Sequence, residues 1–493
     1  MQSHSRIKVL VLFISLSILS ISLCWSATPK IKIKINGLAD TTIILAHYLN
    51  KSIYPDDTVK LNSTGQATFS RNEPYKQGMY LIYMPSGKYF EFIMGEDQDF
   101  SITTDTSNFV TKAEIKGSDD NRIFFDFQKY IISKRDELKK CSDILANSEN
   151  EEEKQNAHSI IDKLTLDRKD KILNIVSEHP DLFVSTFLNA TRDIEVPAPP
   201  EEDSINGEEW QYKYYKAHYF DNFNPADGRL LFTPLYEEKI MNYLDKVAYQ
   251  VPDSLNKVVD FLLDGARSDS TLFRYLLITL FNHYGNSNIM GFDAVQVHLA
   301  EKYYLTDAWW SSDDFKKELR ERVEILEPLL LGKQAPNVEL LVVPAEHFKM
   351  AENDTALKKY PHVGQLVKIY DIPAEYMVLL FWEANCSHCK KAVPKMYSIY
   401  KEQLEPMGIK VIAISTLFGE DGKEKWIDFV NEHKTYDWIN AWNPYDYQYK
   451  IIYDIRSTPQ IYVLDKDKII IGKRISPEQV PELIKAYKSQ LGE

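Results

Sequence analysis

Cysteine is the scarcest residue in this 493-residue chain, with four copies. That scarcity excludes a scaffold stapled by disulfides, which needs many paired cysteines. A single close pair exists, Cys386 and Cys389. A structural zinc site, which wants four ligands and commonly two such pairs, is excluded with it. Haem attachment needs a histidine directly after the second cysteine, where Lys390 stands. Positive charge is short as well: 58 lysines and arginines face 72 acids, a net charge of −14. Nucleic acid, whose phosphates call for a basic surface, is therefore not an expected partner. The helical part of the chain has no glycine-rich phosphate loop and no close set of His, Asp and Glu, so no metal or cofactor is expected.

Long hydrophobic runs are missing too. The apolar stretch 9–23 is too short and too interrupted by serine to span a membrane comfortably. Arg6 and Lys8 precede it, and Cys24-Trp25-Ser26-Ala27 follow. A basic start, a short apolar run and small residues describe a secretory signal over residues 1–27, so export to the periplasm is expected. Its loss moves the net charge from −14 to −16, since two cations and no acids go with residues 1–26. Acylation of Cys24 is the rival, but Leu23 stands where lipoprotein signals want a small residue.

What is present suits a large globular protein: 44% hydrophobic and 12% aromatic residues, with 30 tyrosines. A length of 493 residues implies two to three domains. In 28–118, Ile31, Ile33 and Ile35 alternate with Lys32, Lys34 and Asn36, the period of a half-buried strand. Similar short runs at 42–48, 58–61, 67–70, 79–84, 89–94 and 100–103 predict an all-β sandwich or barrel. From 119 to 330 the spacing turns helical, as in Ile123, Phe124, Phe127, Tyr130 and Ile131. Glu151 to Lys154 reads as an exposed helix start or loop, and the three prolines in 196–202 as a loop. Over 331–493, strands and helices alternate, which predicts a mixed sheet with helices on both faces. The fold expected is thus multidomain: β-module, α-helical module, α/β domain.

The pair Cys386-Ser387-His388-Cys389 follows the apolar strand 377–382 and is predicted to open a helix running to about residue 405. A thiolate at a helix start meets unpaired backbone N–H groups and the positive end of the macrodipole, which favour ionisation. Cys386 is then the attacking thiolate, and Cys389, one turn on, the resolving thiol. Elsewhere, Cys141 reads as an ordinary buried cysteine.

This section resembles the thioredoxin superfamily, and within it the TlpA/ResA-like envelope branch. The residues that carry the resemblance are Phe381-Trp382, Cys386 and Cys389, Pro394, and Thr458-Pro459, with Gly332 to Pro336 at the entry. It implies a thioredoxin-like fold and a cis-proline at Pro459 beside the disulfide. It also implies substrate-binding roles for Thr458, Pro459 and Trp382, client protein thiols and disulfides as partners, and a membrane electron donor. The three-part order resembles envelope proteins common in Bacteroidota. Two family residues are absent: Leu380 stands where thioredoxins place a buried aspartate, and Ala392 where cytochrome-maturation relatives carry a glutamate. Glu383 is the candidate proton acceptor in their place. His388 precedes the second cysteine as in strongly oxidising relatives, and stabilising the reduced form would raise the potential.

A peroxidase of the same fold wants threonine or serine three residues before its reactive cysteine, where this chain has Glu383. A different reading makes the two upstream modules the purpose of the chain, as a partner-binding or scaffolding protein with a secondary redox domain.

Overall fold

The computed structural model describes residues 28–200, 206–359 and 362–492. The expected signal segment lies outside them. Among the described residues no helix is long and apolar enough to cross a membrane. The chain divides into two compact units.

Of the described residues, the first unit comprises 28–195, Asp221–Phe223 and Arg229–Glu237. Its strands are β1 (Lys30–Asn36), β2 (Thr42–Leu49), β3 (Ser52–Lys60), β4 (Gln66–Ser70), β5 (Gly78–Tyr83), β6 (Tyr89–Met94), β7 (Asp99–Asp105) and β8 (Glu114–Lys116). They form two four-stranded sheets, ordered β4-β1-β7-β8 and β3-β2-β5-β6. The alternation read in β1 is real: Ile31, Ile33 and Ile35 are buried, while Lys30 and Lys32 face water. β3 begins earlier than expected because Pro55 and two aspartates hide it. Proline cannot donate to a ladder, and this strand tolerates it as a sheet edge with a bulge opposite Leu45/Ala46.

Three helices complete this unit: Asp119–Asn147, Glu151–Glu178 and Phe183–Ala190. Ser118 caps the first by accepting from the Asn121 N–H. Asn121 in turn bonds both backbone groups of Ile93 on β6, each at 2.8 Å, so the helix start is stitched to the sheet. The acidic run at Glu151 is a helix start, as read, capped by Asn150. It opens a helix of 28 residues whose weak amphipathicity concealed its length.

The second unit holds the described residues of 196–220, Asn224–Gly228 and 238–492. Its helices include Gly207–His218, Pro252–Gly265, Ser270–Gly285, Asp293–Leu299 and Asp313–Leu326. Beyond them come β9 (Glu339–Val343), β10 (Gln365–Lys368), β11 (Met377–Trp382), β12 (Lys410–Ser415), β13 (Ile439–Trp442), β14 (Gln460–Leu464) and β15 (Ile470–Lys473). They make one mixed sheet, ordered β10-β9-β13-β12-β11-β14-β15. The helices Cys389–Ile399, Gly419–His433 and Gln479–Leu491 accompany it. Every residue of β11 is buried, as the central strand of a sheet covered on both faces should be.

Two ionic contacts tie this sheet to the helices before it. The Lys473 ammonium is buried against Asp293 and the Leu329 carbonyl. The Arg322 guanidinium grips Asp454 with two bonds, at 2.5 and 2.6 Å.

Candidate redox site

Register brings the site together. β11 runs parallel to β12, pairing Trp382 with Ser415, and antiparallel to β14, pairing Phe381 with Gln460. The residues after Phe381 therefore meet those before Gln460, across some 70 positions of sequence. That is why Cys386 reaches Thr458: its thiol donates to the Thr458 carbonyl at 3.2 Å. The Thr458–Pro459 peptide is cis.

The helix starts at Cys389 and not at Cys386, which corrects the expected boundary. Cys386 sits in the turn before it, with its carbonyl already accepting the Lys390 N–H at 3.1 Å. The helical spiral also changes pitch before residue 405. It widens over Tyr400–Leu404, tightens over Glu405–Met407, and stops at Gly408, whose φ of 73° suits glycine. Pro394 lies inside the first stretch and removes one helical N–H donor.

Both thiols are free, Cys386 half-buried and Cys389 buried. Burial alone pushes the Cys386 thiol up, but it is outweighed. Backbone N–H groups of Cys389 and His388, with the Cys389 and Thr458 side chains, stabilise the thiolate and bring it below the ordinary thiol value. Cys389 goes the other way: burial first, then the neighbouring Cys386, push it up to about 12, against a bond from the Glu383 N–H at 3.5 Å. One thiol is poised to ionise and its neighbour is held protonated.

The remaining sequence-predicted residues fall into two groups. Glu383 lies next to the pair, and its carboxylate accepts from the Thr416 hydroxyl at 2.7 Å and stands 3.6 Å from the Lys450 ammonium. The His388 ring is exposed, and what reaches Cys386 is the His388 backbone. Trp382 is fully buried, with its ring centroid 4.7 Å from that of Phe429. Leu380 is likewise sealed in the core.

Thr416 and Lys450 are site neighbours that sequence reasoning missed. Only the β11–β12 register places Thr416 beside Glu383, and no motif marks it. Lys450 also donates to the Thr416 carbonyl at 3.4 Å, so the three groups form one small network. Among the described residues no cluster of His, Cys, Asp and Glu is arranged to hold a metal ion.

Residues 331–472 match the model of the AhpC/TSA family. Residues 30–124 match a domain of unknown function, DUF4369, and residues 145–327 another, DUF5106. Among solved structures, a domain of a possible thiol-disulfide isomerase from Cytophaga hutchinsonii is 34% identical. The match spans 34% of this chain and 97% of that one, with a TM-score of 0.27. A thioredoxin-like protein from Bacteroides caccae is 18% identical over 60% of this chain and 99% of its own, with a TM-score of 0.43. A thiol:disulfide interchange protein from a Bacteroides species is 21% identical over 32% of this chain and 89% of its own, with a TM-score of 0.25. No curated protein matches the chain.

Proposed function

This chain belongs, through its C-terminal domain, to the thioredoxin-like AhpC/TSA family of oxidoreductases, and from that premise we propose that it exchanges a Cys386–Cys389 disulfide with client proteins of the cell envelope. The observation that carries this reading is the placing of the pair at the end of β11, with the Cys386 thiol half-buried 3.2 Å from the Thr458 carbonyl before Pro459 and Cys389 buried behind it.

The chemistry is a pair of displacements. The Cys386 thiolate attacks one sulfur of a client disulfide, forming a mixed disulfide and expelling the other client sulfur as thiolate. Cys389 then gives up its proton and attacks Cys386, closing the internal disulfide and releasing the second client thiolate. Two electrons pass to the client, and its thiolates take up two protons. Thr458 offers a backbone carbonyl that binds Cys386 in the resting state and a client strand in the complex, with Pro459 beside it. Glu383, fixed by Thr416 and Lys450, accepts the Cys389 proton in the second displacement. A membrane electron donor returns the pair to the dithiol. The basic, apolar and small-residue pattern of residues 1–27 supports action outside the cytoplasm.

Trapping tests the reading. Cys389→Ser should accumulate covalent client adducts that reductant dissolves, and Cys386→Ser should accumulate none; adducts that persist in Cys386→Ser would sink it. Direction follows from the reduction potential. A value near about −270 mV marks a reductant, and one near about −120 mV a strong oxidant, the outcome toward which a stabilising His388 would push it.

A further inference from the structure

A cavity of about 360 Å³ lies in the second unit, with no cysteine among its lining residues. The helix Asp313–Leu326 supplies much of its wall through Phe315, Leu319 and Val323, and Val297 and Ala300 add further apolar surface. Its size is at the small end of ligand sites, and its wall is mostly apolar with a few polar groups, the usual pattern of such sites. Ala300 is the first residue of a widened helical turn, Ala300–Tyr304, and turns of this kind recur at functional sites.

The polar groups are not spread around the wall. Arg322 and Arg456 both line it, and both are anchored to one carboxylate, Asp454. Arg322 spends two N–H donors on that carboxylate, whereas Arg456 contributes its Nε alone, at 2.9 Å. The Arg456 side chain is 68% exposed. Arg474 approaches the same carboxylate at 3.7 Å. Three guanidinium groups thus surround one buried carboxylate; Arg322 and Arg456 also line the cavity, with Glu318 the acid among the lining residues. The terminal donors of Arg456 have the fork geometry that suits a carboxylate. At the mouth, Phe315 is 41% exposed, a large ring facing water where a ligand would cover it.

We propose that this cavity binds a single-chain aliphatic carboxylate, its head group on Arg456 and its alkyl chain along Phe315, Leu319, Val323 and Val297. An apolar body requires an apolar wall, and an anionic head requires guanidinium donors not spent on Asp454; Arg456, bound to Asp454 through Nε, offers its terminal N–H groups beside that wall. No cysteine lines the site, and Arg456 stands two residues before the Thr458 that meets Cys386.

The test is calorimetric titration of the full chain with decanoate and, separately, with decanol. One saturable site for decanoate is expected. Arg456→Gln should weaken decanoate roughly tenfold, the value of one charge-assisted contact, and leave decanol unchanged. Phe315→Glu alters an exposed ring and so leaves the core intact; it should weaken decanoate by a similar factor. Cys386→Ser should bind decanoate as the parent does. The proposal is overturned if no acid from hexanoate to tetradecanoate saturates a site, if decanol binds as tightly as decanoate, or if Arg456→Gln and Phe315→Glu bind decanoate as the parent does.

Discussion

In β1 of the N-terminal sheets, Ile31, Ile33 and Ile35 are buried while Lys32 between them faces water; in β11 of the C-terminal sheet, all six residues from Met377 to Trp382 are buried. The first pattern belongs to a sheet with one wet face, the second to a strand roofed by helices on both sides. A strand closed on both faces can open to solvent only at its ends. The redox pair sits at the C-terminal end of β11, where the strand gives way to a turn. The reactive group is therefore held at the rim of the buried core of the domain.

The largest effect that sharpens this contrast is kinetic. Cys386→Ser should lower client-disulfide turnover by about 10³-fold or more, because no other thiolate can start the exchange. Thermal unfolding of the variant should match that of the parent, since a half-buried turn residue is changed without opening the core. Loss of stability comparable to a core truncation would break the separation between rim and core.

Next in size come the strands themselves. Leu379→Ala and Leu380→Ala point to opposite faces of the C-terminal sheet, and each should cost about 2–5 kcal/mol in denaturant unfolding. If one of them proves nearly silent, β11 is not roofed on both sides. Ile33→Ala on β1 should cost a similar amount.

The pH dependence is a finer probe. Alkylation of Cys386 should titrate below the ordinary thiol range, its rate falling as pH drops through that lowered value and the thiolate takes up a proton. Cys389 should resist until near pH 12. The sign for stability is opposite for the two groups. The contribution of Cys389, raised in the fold, is present below the ordinary thiol value and lost as pH rises from there toward about 12. The contribution of Cys386, lowered in the fold, is present above the ordinary thiol value and lost as pH falls through its lowered value. Equal labelling of both cysteines at neutral pH, followed by mass spectrometry, would break the assignment of roles.

The smallest effect belongs to the wet face of the N-terminal sheet that holds β1. Lys32 pairs with Asp99 at 3.0 Å, but both side chains are about half exposed. Lys32→Ala should shift stability by less than about 0.5 kcal/mol.

The same contrast explains what was legible in the sequence. Strong alternation in β1 and the unbroken apolar run of β11 both declared themselves, and so did the cysteine pair. β13 did not, because Asn440 sits buried within it and interrupts the apolar pattern. Its amide donates to the Thr435 carbonyl and its oxygen accepts from Trp438, contacts that exist only in the folded chain. β3 was shortened by Pro55 for a related reason. Cys386, Cys389, Glu383 and Thr458 were named from local motif and resemblance. Thr416 and Lys450 are brought to Glu383 by strand register and by a separate short helix, neither of which leaves a local signature.

β15 lies at one margin of the C-terminal sheet, and its outer backbone is not bare. Ile470 exchanges hydrogen bonds with Gly332 and Lys333, at 2.9 and 2.8 Å, and Gln334 bridges Ile469. Lys473, on the same strand, is held by Asp293 and the Leu329 carbonyl from the helices upstream. The short entry segment therefore works as a selvedge, finishing a margin that would otherwise accept another chain. A fragment begun after Gln334 would keep both cysteines yet carry that margin open, a bare row of backbone groups of the kind that accepts another strand.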